Sequence, residues 1–212
     1  RAPRQALATF GITSVEYYLV TQPVYAGEAE QETVVRRGRV VANRPRIVTP
    51  SYLSRVEGFS ADARRYLGRL MAEHGPDAPG IYYTYRNEPG GLDIVSQDMK
   101  QVLEAINREI DEKHNPLSAV IRGEDELWDV SLMKFIFEMT TSSFGQNVLE
   151  MQSRGLLHVD EDGVPQEARL HIEELFARLY RGEIKPGELR DELERWGLFE
   201  EYQDRFLALF RR

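Results

Sequence analysis

Nine of the thirteen residues from Leu127 to Met139 are apolar, and they spread round most of a helical circumference instead of along one stripe. Besides Leu127, Trp128, Val130, Leu132, Met133, Phe135, Ile136, Phe137 and Met139 the stretch holds Asp129 near its start, with Ser131, Lys134 and Glu138 as a polar edge. A helix of that kind belongs at the centre of a fold, so 125–139 is read as the most buried element. The run falls short of the roughly 18 apolar residues that mark a membrane span. No membrane segment is expected, and the expected location is the cytoplasm.

The chain on either side of about residue 123 differs in period. Before it, Ser14–Tyr25 alternates β-branched and aromatic residues in the manner of a strand, with Pro23 near its end. Ala26–Gln31 reads as a polar connection. Thr33–Val35 and Val40–Val41 read as a short hairpin about Arg37-Gly38, and Arg44–Pro50 as extended chain. Ile81–Tyr85 and Leu92–Val95 flank Asn-Glu-Pro-Gly-Gly at 87–91, strong turn chemistry that predicts a second hairpin. Helices are expected at 60–74, capped by Ser60, and at 98–113, capped by Asp98, with a short strand at 118–121. After Gly123 the pattern is helical, with helices at about 144–154, 166–181, 187–196 and 198–210. The fold class is therefore α+β: a small, mostly antiparallel sheet with flanking helices in the N-terminal half, and a helical C-terminal half. The corresponding domains are 1–123, an α+β subdomain, and 124–212, a helical subdomain packed against it.

Charge divides along the same line. The net charge is −8. Residues 1–70 hold 11 Arg and no Lys against 6 acids, and the remainder holds 16 bases against 29 acids. Arg36, Arg37, Arg39, Arg44 and Arg46 crowd into eleven residues of extended chain. Such a segment can clasp an acidic protein surface or lie along phosphates, with Tyr17, Tyr18 and Tyr25 available to stack on bases. Charged edge strands also serve simply to prevent strand-to-strand aggregation. An anionic partner is assigned to these five arginines, protein ahead of nucleic acid.

The segment 132–163 resembles the helix–turn–helix–wing layout of winged-helix domains. Leu132–Met139 would be the first helix, Thr140–Ser142 the turn, and Ser143–Arg154 the second helix. Gly155-Leu156-Leu157 would lead into a wing at His158–Gly163. The resemblance implies that Ser142, Ser143, Gln146 and Asn147 are exposed near the start of a recognition helix. Three acids in the wing and one base in the helix oppose phosphate contact, so the layout points to a helical bundle or a protein contact before DNA.

His158, Asp160 and Asp162 alternate as strand neighbours would, and form a candidate metal site. Read as a calcium loop from His158, the twelfth position is Arg169 where a bidentate Glu is required. The nucleotide-loop, nucleophile-elbow and zinc-protease patterns are missing, and there is no cysteine for a thiol nucleophile or a disulfide. No cofactor and no catalytic residue is assigned. Phe199, Tyr202, Phe206 and Phe210 give the last helix an aromatic face. That face is a candidate interface, with docking onto the chain's own core as the competing use. The function expected from all this is a non-catalytic protein-interaction subunit or adaptor, with self-association or a protein partner. The alternatives are a nucleic-acid-associated regulator and an enzyme of unrecognised type.

Overall fold

The computed structural model describes residues 1–23 and 32–210. In chain order the elements begin with β1 (Thr13–Thr21), β2 (Thr33–Ala42), β3 (Arg46–Val48), α1 (Pro50–Ser54), α2 (Ala61–His74), β4 (Gly80–Tyr82) and β5 (Tyr85–Val95). They continue with α3 (Met99–Lys113), β6 (Ser118–Arg122), α4 (Trp128–Ser153), α5 (Gln166–Tyr180), α6 (Pro186–Trp196) and α7 (Phe199–Ala208). The predicted strand end at Val24-Tyr25 and the connection Ala26–Gln31 lie outside the described residues. Among the described residues no helix is long and apolar enough to cross a membrane.

The chain forms two compact units, Arg1–Pro45 with Tyr83–Glu150, and Arg46–Tyr82 with Met151–Arg212. Gly123, where the composition shifts, falls inside the first of them.

The first unit is a four-stranded sheet in the order β5-β2-β1-β6. β5, β2 and β1 are antiparallel neighbours, and β6 runs parallel to β1. A parallel neighbour needs a crossover, which α3 supplies. Asp98 caps α3 by accepting the Lys100 N–H at 3.0 Å. Met99, Val102, Ile106 and Ile110 then line one side of it at helical spacing and bury against Tyr18, Val20, Val35 and Val120. The alternate residues of β1, Val15, Tyr17 and Leu19, face the other way and pack with Leu132, Phe135 and Met139 of α4. β1 is thus covered on both faces, which is why Tyr17–Val20 forms an unbroken apolar run.

Neither predicted hairpin forms. β2 is one continuous strand through Arg37-Gly38, because Gly38 lies under the Tyr17 ring, where an added Cβ would overlap it. β5 also runs straight through 87–91 and stays paired with β2 along its length. The Pro-Gly-Gly chemistry is spent on a register irregularity opposite Arg37, between the pairs Arg36–Leu92 and Gly38–Pro89. A proline without a donor is tolerated there because β5 is an edge strand.

The helix–turn–helix layout is also absent, because α4 is unbroken from Trp128 to Ser153. The four hydroxyls at 140–143 fold back onto the helix. Thr140 and Thr141 donate to the carbonyls of Ile136 and Phe137 at 2.7 and 2.9 Å, and Ser142 and Ser143 both donate to Met139 at 2.9 and 2.8 Å. Back-bonding of this kind removes the competition with the backbone that makes such residues helix breakers. Ser143 and Asn147 are buried, where an exposed recognition surface was expected. The Ser143 hydroxyl accepts the Leu7 N–H at 3.0 Å, and the Asn147 amide donates to the Leu7 carbonyl at 3.0 Å. These bonds hold the irregular N-terminal segment against the helix and carry Leu7 into the core.

In the second unit β3 and β4 pair antiparallel. The core is helical, built from Tyr52, Ala168, Ile172, Phe176, Leu189, Leu193, Trp196 and Phe206 among others. Ser60 caps α2 by accepting the Ala63 N–H at 3.2 Å, and Gly197 closes α6 in the left-handed conformation at φ 73°.

The expectation that all nine apolar residues of 127–139 are interior does not hold. Leu132, Phe135 and Met139 are buried, whereas Val130, Met133 and Phe137 face outward. Two phenylalanines two residues apart therefore have opposite consequences. In urea unfolding of dilute protein, Phe135→Ala is expected to cost roughly 3–5 kcal/mol. Phe137→Ala is expected to stay within about 0.5 kcal/mol of the parent.

Candidate functional site

α4 carries two apolar faces. One is the core face just described. On the other, Val130, Phe137 and Phe144 follow one another at intervals of seven residues with Met133 between them, and their exposures are 52, 70, 50 and 68%. Leu127, just before the helix, flanks the patch at its N-terminal end with an exposure of 49%. A row at that spacing stays on one side of a helix for several turns. Beside it Lys134 and Glu138 lie 3.8 Å apart on the helix surface, both largely exposed. Thr141 is small, and Gly145 has open space where a Cβ would be, so another chain meets no bulk on that part of the helix.

Next to the N-terminal half of this face lies an open cleft of about 900 Å³, lined in part by Arg122, Glu124, Glu126, Lys134 and Glu138 with Val130 at its edge. Charges of both signs line it. The remaining carboxylate, Asp125, is already engaged: it accepts from Thr21 at 2.7 Å and pairs with Arg36 at 2.8 Å. Burial pushes the Asp125 carboxyl up, but the Thr21 and Arg36 hydrogen bonds with the Arg36 charge outweigh it and hold the group below its ordinary range.

The five clustered arginines do not form one binding stripe. Arg36 turns to Asp125 and lies 5.5 Å over the Trp128 ring. Its neighbour Arg37 points to the opposite side of β2, 3.6 Å from Asp93 and 5.8 Å over the Tyr18 ring. Arg39 pairs with Glu88 at 2.7 Å. The Arg44 side chain also has a partner within the chain. Arg46 belongs to the second unit and is mostly buried, 2.6 Å from Glu192. Tyr17 and Tyr18 are buried on opposite faces of the sheet, so neither ring is presented for stacking.

His158, Asp160 and Asp162 lie in a tight turn closed by a single bridge between Val159 and Pro165, not on an extended strand. Asp160 accepts the backbone N–H groups of Asp162 and Val164 at 3.0 and 2.9 Å. Arg169 occupies the remaining carboxylate positions, reaching Asp160, Asp162 and Glu201 at 2.9, 3.0 and 2.8 Å. The residue that fails the calcium pattern at the twelfth position is thus the cation that satisfies the turn. Among the described residues no group of three or more His, Asp or Glu side chains converges on a metal position.

The aromatic face of α7 goes to its own unit. Phe206 is buried, and Phe199 and Tyr202 pack against the same core, with Tyr202 stacked 5.7 Å from Phe176. Phe210 remains 55% exposed, edge-on to Phe206 at 5.4 Å.

Sequence reading did not find the buried polar centre of the second unit. Glu192, with a side chain only 5% exposed, takes Arg46 at 2.6 Å, the Tyr52 hydroxyl at 2.9 Å and the Trp196 indole N–H at 3.1 Å. Nearby, the fully buried Glu167 accepts the Ile47 N–H at 3.1 Å. The partners are up to 146 residues apart in the chain, so no local pattern signals them. The α4 outer face did leave a signal, the seven-residue spacing of Val130, Phe137 and Phe144.

Compared with protein-family models, with curated proteins and with solved structures, the chain matches none.

Burial pushes the Glu192 carboxyl up, and the Arg46 charge with the hydrogen bonds from Arg46 and Tyr52 outweighs it, leaving the group below its ordinary range. A carboxylate lowered in the folded state stabilises fully above its unfolded value of about 4.3, and that contribution fades as the pH falls through the folded value. Glu192→Gln leaves Arg46 buried without its nearest counter-charge and is expected to cost about 3 kcal/mol at neutral pH. It should also flatten the loss of stability that chemical denaturation of the parent shows as the pH falls below about 4.3.

Proposed function

We propose that this chain is a non-catalytic interaction protein whose contact surface is the outer face of α4. The observation that carries the reading is the row Val130, Met133, Phe137 and Phe144, each half or more exposed on a helix whose opposite side is already anchored in the core. Apolar surface removed from water returns about 25 cal/mol per Å², and contiguous exposed patches of large side chains mark protein contacts. A straight apolar row flanked by one cation and one anion fits an amphipathic helix of a partner, laid along it with anchors three, four and seven residues apart.

A polyanion is a poorer fit. Arg36, Arg37, Arg39 and Arg46 each have a carboxylate within the chain, so phosphate contact must first break those pairs. α7 is a poorer fit as well, since most of its aromatic face is occupied by its own unit.

A photoreactive phenylalanine analogue placed at Phe137 tests the reading in the host cell. It is expected to crosslink to protein, while the same analogue at the exposed turn residue Glu161 does not. Absence of crosslinks from Met133, Phe137 and Phe144 in a chain that melts like the parent would refute it.

A further inference from the structure

The outer face of α4 is complementary to itself. We infer that it pairs with the same face of a second copy, the two α4 helices running antiparallel about a two-fold axis at Phe137. This rests on the reading of that face as an interaction surface and names its occupant.

At about 100° per residue, Val130, Met133, Thr141 and Phe144 all lie within roughly 40° of the direction of Phe137. In an antiparallel pair, residues equally far from the axis meet. Val130 and Phe144 are both seven residues from Phe137, so each Phe144 ring meets a Val130 of the other copy. Met133 and Thr141 are both four residues away and meet in the same manner. Large side chains therefore fall opposite smaller ones, and only the two Phe137 rings meet like with like, on the axis. A parallel pair sets Phe144 against Phe144 and Val130 against Val130, large on large and small on small.

Charge points to the same register. Lys134 and Glu138 occupy one flank of the row, about 60° and 100° from Phe137. A two-fold pairing brings that flank against its own copy, with Lys134 about 3 Å along the axis from Glu138 of the partner copy. Two reciprocal ion pairs result. Such self-complementarity is what a two-fold contact requires. The area is also sufficient. A large side chain offers roughly 150–200 Å². Four of them, half or more exposed, give on the order of 400 Å² per copy and 800 Å² per pair. The flanking polar residues with Leu127 bring the total to about 1,200 Å², the lower bound for a stable specific interface.

The chain contains no cysteine, so one introduced thiol reports the register without background. Under mild oxidation Phe137→Cys is expected to form a disulfide-linked dimer. Val130→Cys alone should not, because its two copies lie about 21 Å apart along the antiparallel pair. Val130→Cys combined with Phe144→Cys should form one again. In sedimentation, Phe137→Glu is expected to raise the dimer dissociation constant at least about tenfold, while the melting temperature measured at concentrations where both proteins are monomeric stays that of the parent. Lys134→Glu should weaken the dimer about threefold, and adding Glu138→Lys should restore it. Crosslinking of Val130→Cys alone as readily as Phe137→Cys would overturn the antiparallel register. A parent protein that sediments as a monomer at tens of micromolar would overturn the pairing outright. If it does so while the analogue at Phe137 crosslinks to a different protein in cells, the second copy is the wrong occupant and the contact surface itself stands.

Discussion

The first unit is governed by a mismatch between a sheet and a helix. β1 is buried on both sides, and α3 and α4 are the elements that cover it. α3 meets that demand with a single stripe and turns the rest of its circumference to water. α4 brings apolar groups on two sides, and a sheet can take only one of them. Once Leu132, Phe135 and Met139 are committed to β1, the opposite row has no place inside the unit. The outer surface of α4 is thus set by geometry: a helix about 10 Å across cannot bring both sides against one sheet.

The second unit is organised by charge. Its core contains a carboxylate that holds an arginine, a phenol and an indole together, one each from β3, α1 and α6 itself. Burying ions is expensive, and the cost is met only when each is paired and hydrogen-bonded, as Glu192 is. What such a centre contributes is definition. The Tyr52 and Trp196 rings lie 4.5 Å apart at a tilt of 36° and both donate to that carboxylate, so helices that are otherwise plain amphipathic rods acquire one relative position within the unit.

Much of the secondary structure could be read from the chain because its signals are local. The Asp98 cap with the Met99, Val102, Ile106 and Ile110 stripe specifies α3 within fifteen residues, and Ser60 and Gly197 mark helix ends by the same short-range chemistry. The errors arose where neighbours decide. Pro89, Gly90 and Gly91 read as a turn because a turn is their commonest use, and only the position of β5 at the sheet edge lets them stay in a strand. The hydroxyl run at 140–143 reads as a break because nothing local shows that each hydroxyl will find a carbonyl one turn back. The candidate surface was visible as a periodic row but was assigned to the interior, since the chain does not say which of two apolar faces the sheet will cover. The Glu192 centre was not legible at all, because Arg46 and Tyr52 lie more than a hundred residues upstream of it.

That separation has a consequence for biosynthesis. Arg46 and Tyr52 leave the ribosome long before Glu192. At about 5–20 residues per second, the 146 residues between Arg46 and Glu192 take roughly 7–30 s to translate. By the end of that interval every strand and helix of the first unit has emerged, while β3, α1, α2 and β4 wait with a hydrated arginine and an unmatched aromatic. The core of the second unit is complete only once α6 has supplied Glu192 and α7 has supplied Phe206. A chain truncated before α6 keeps every residue of the first unit and leaves the 46–82 segment as an unfilled insertion, a natural point for proteases and chaperones to recognise unfinished protein.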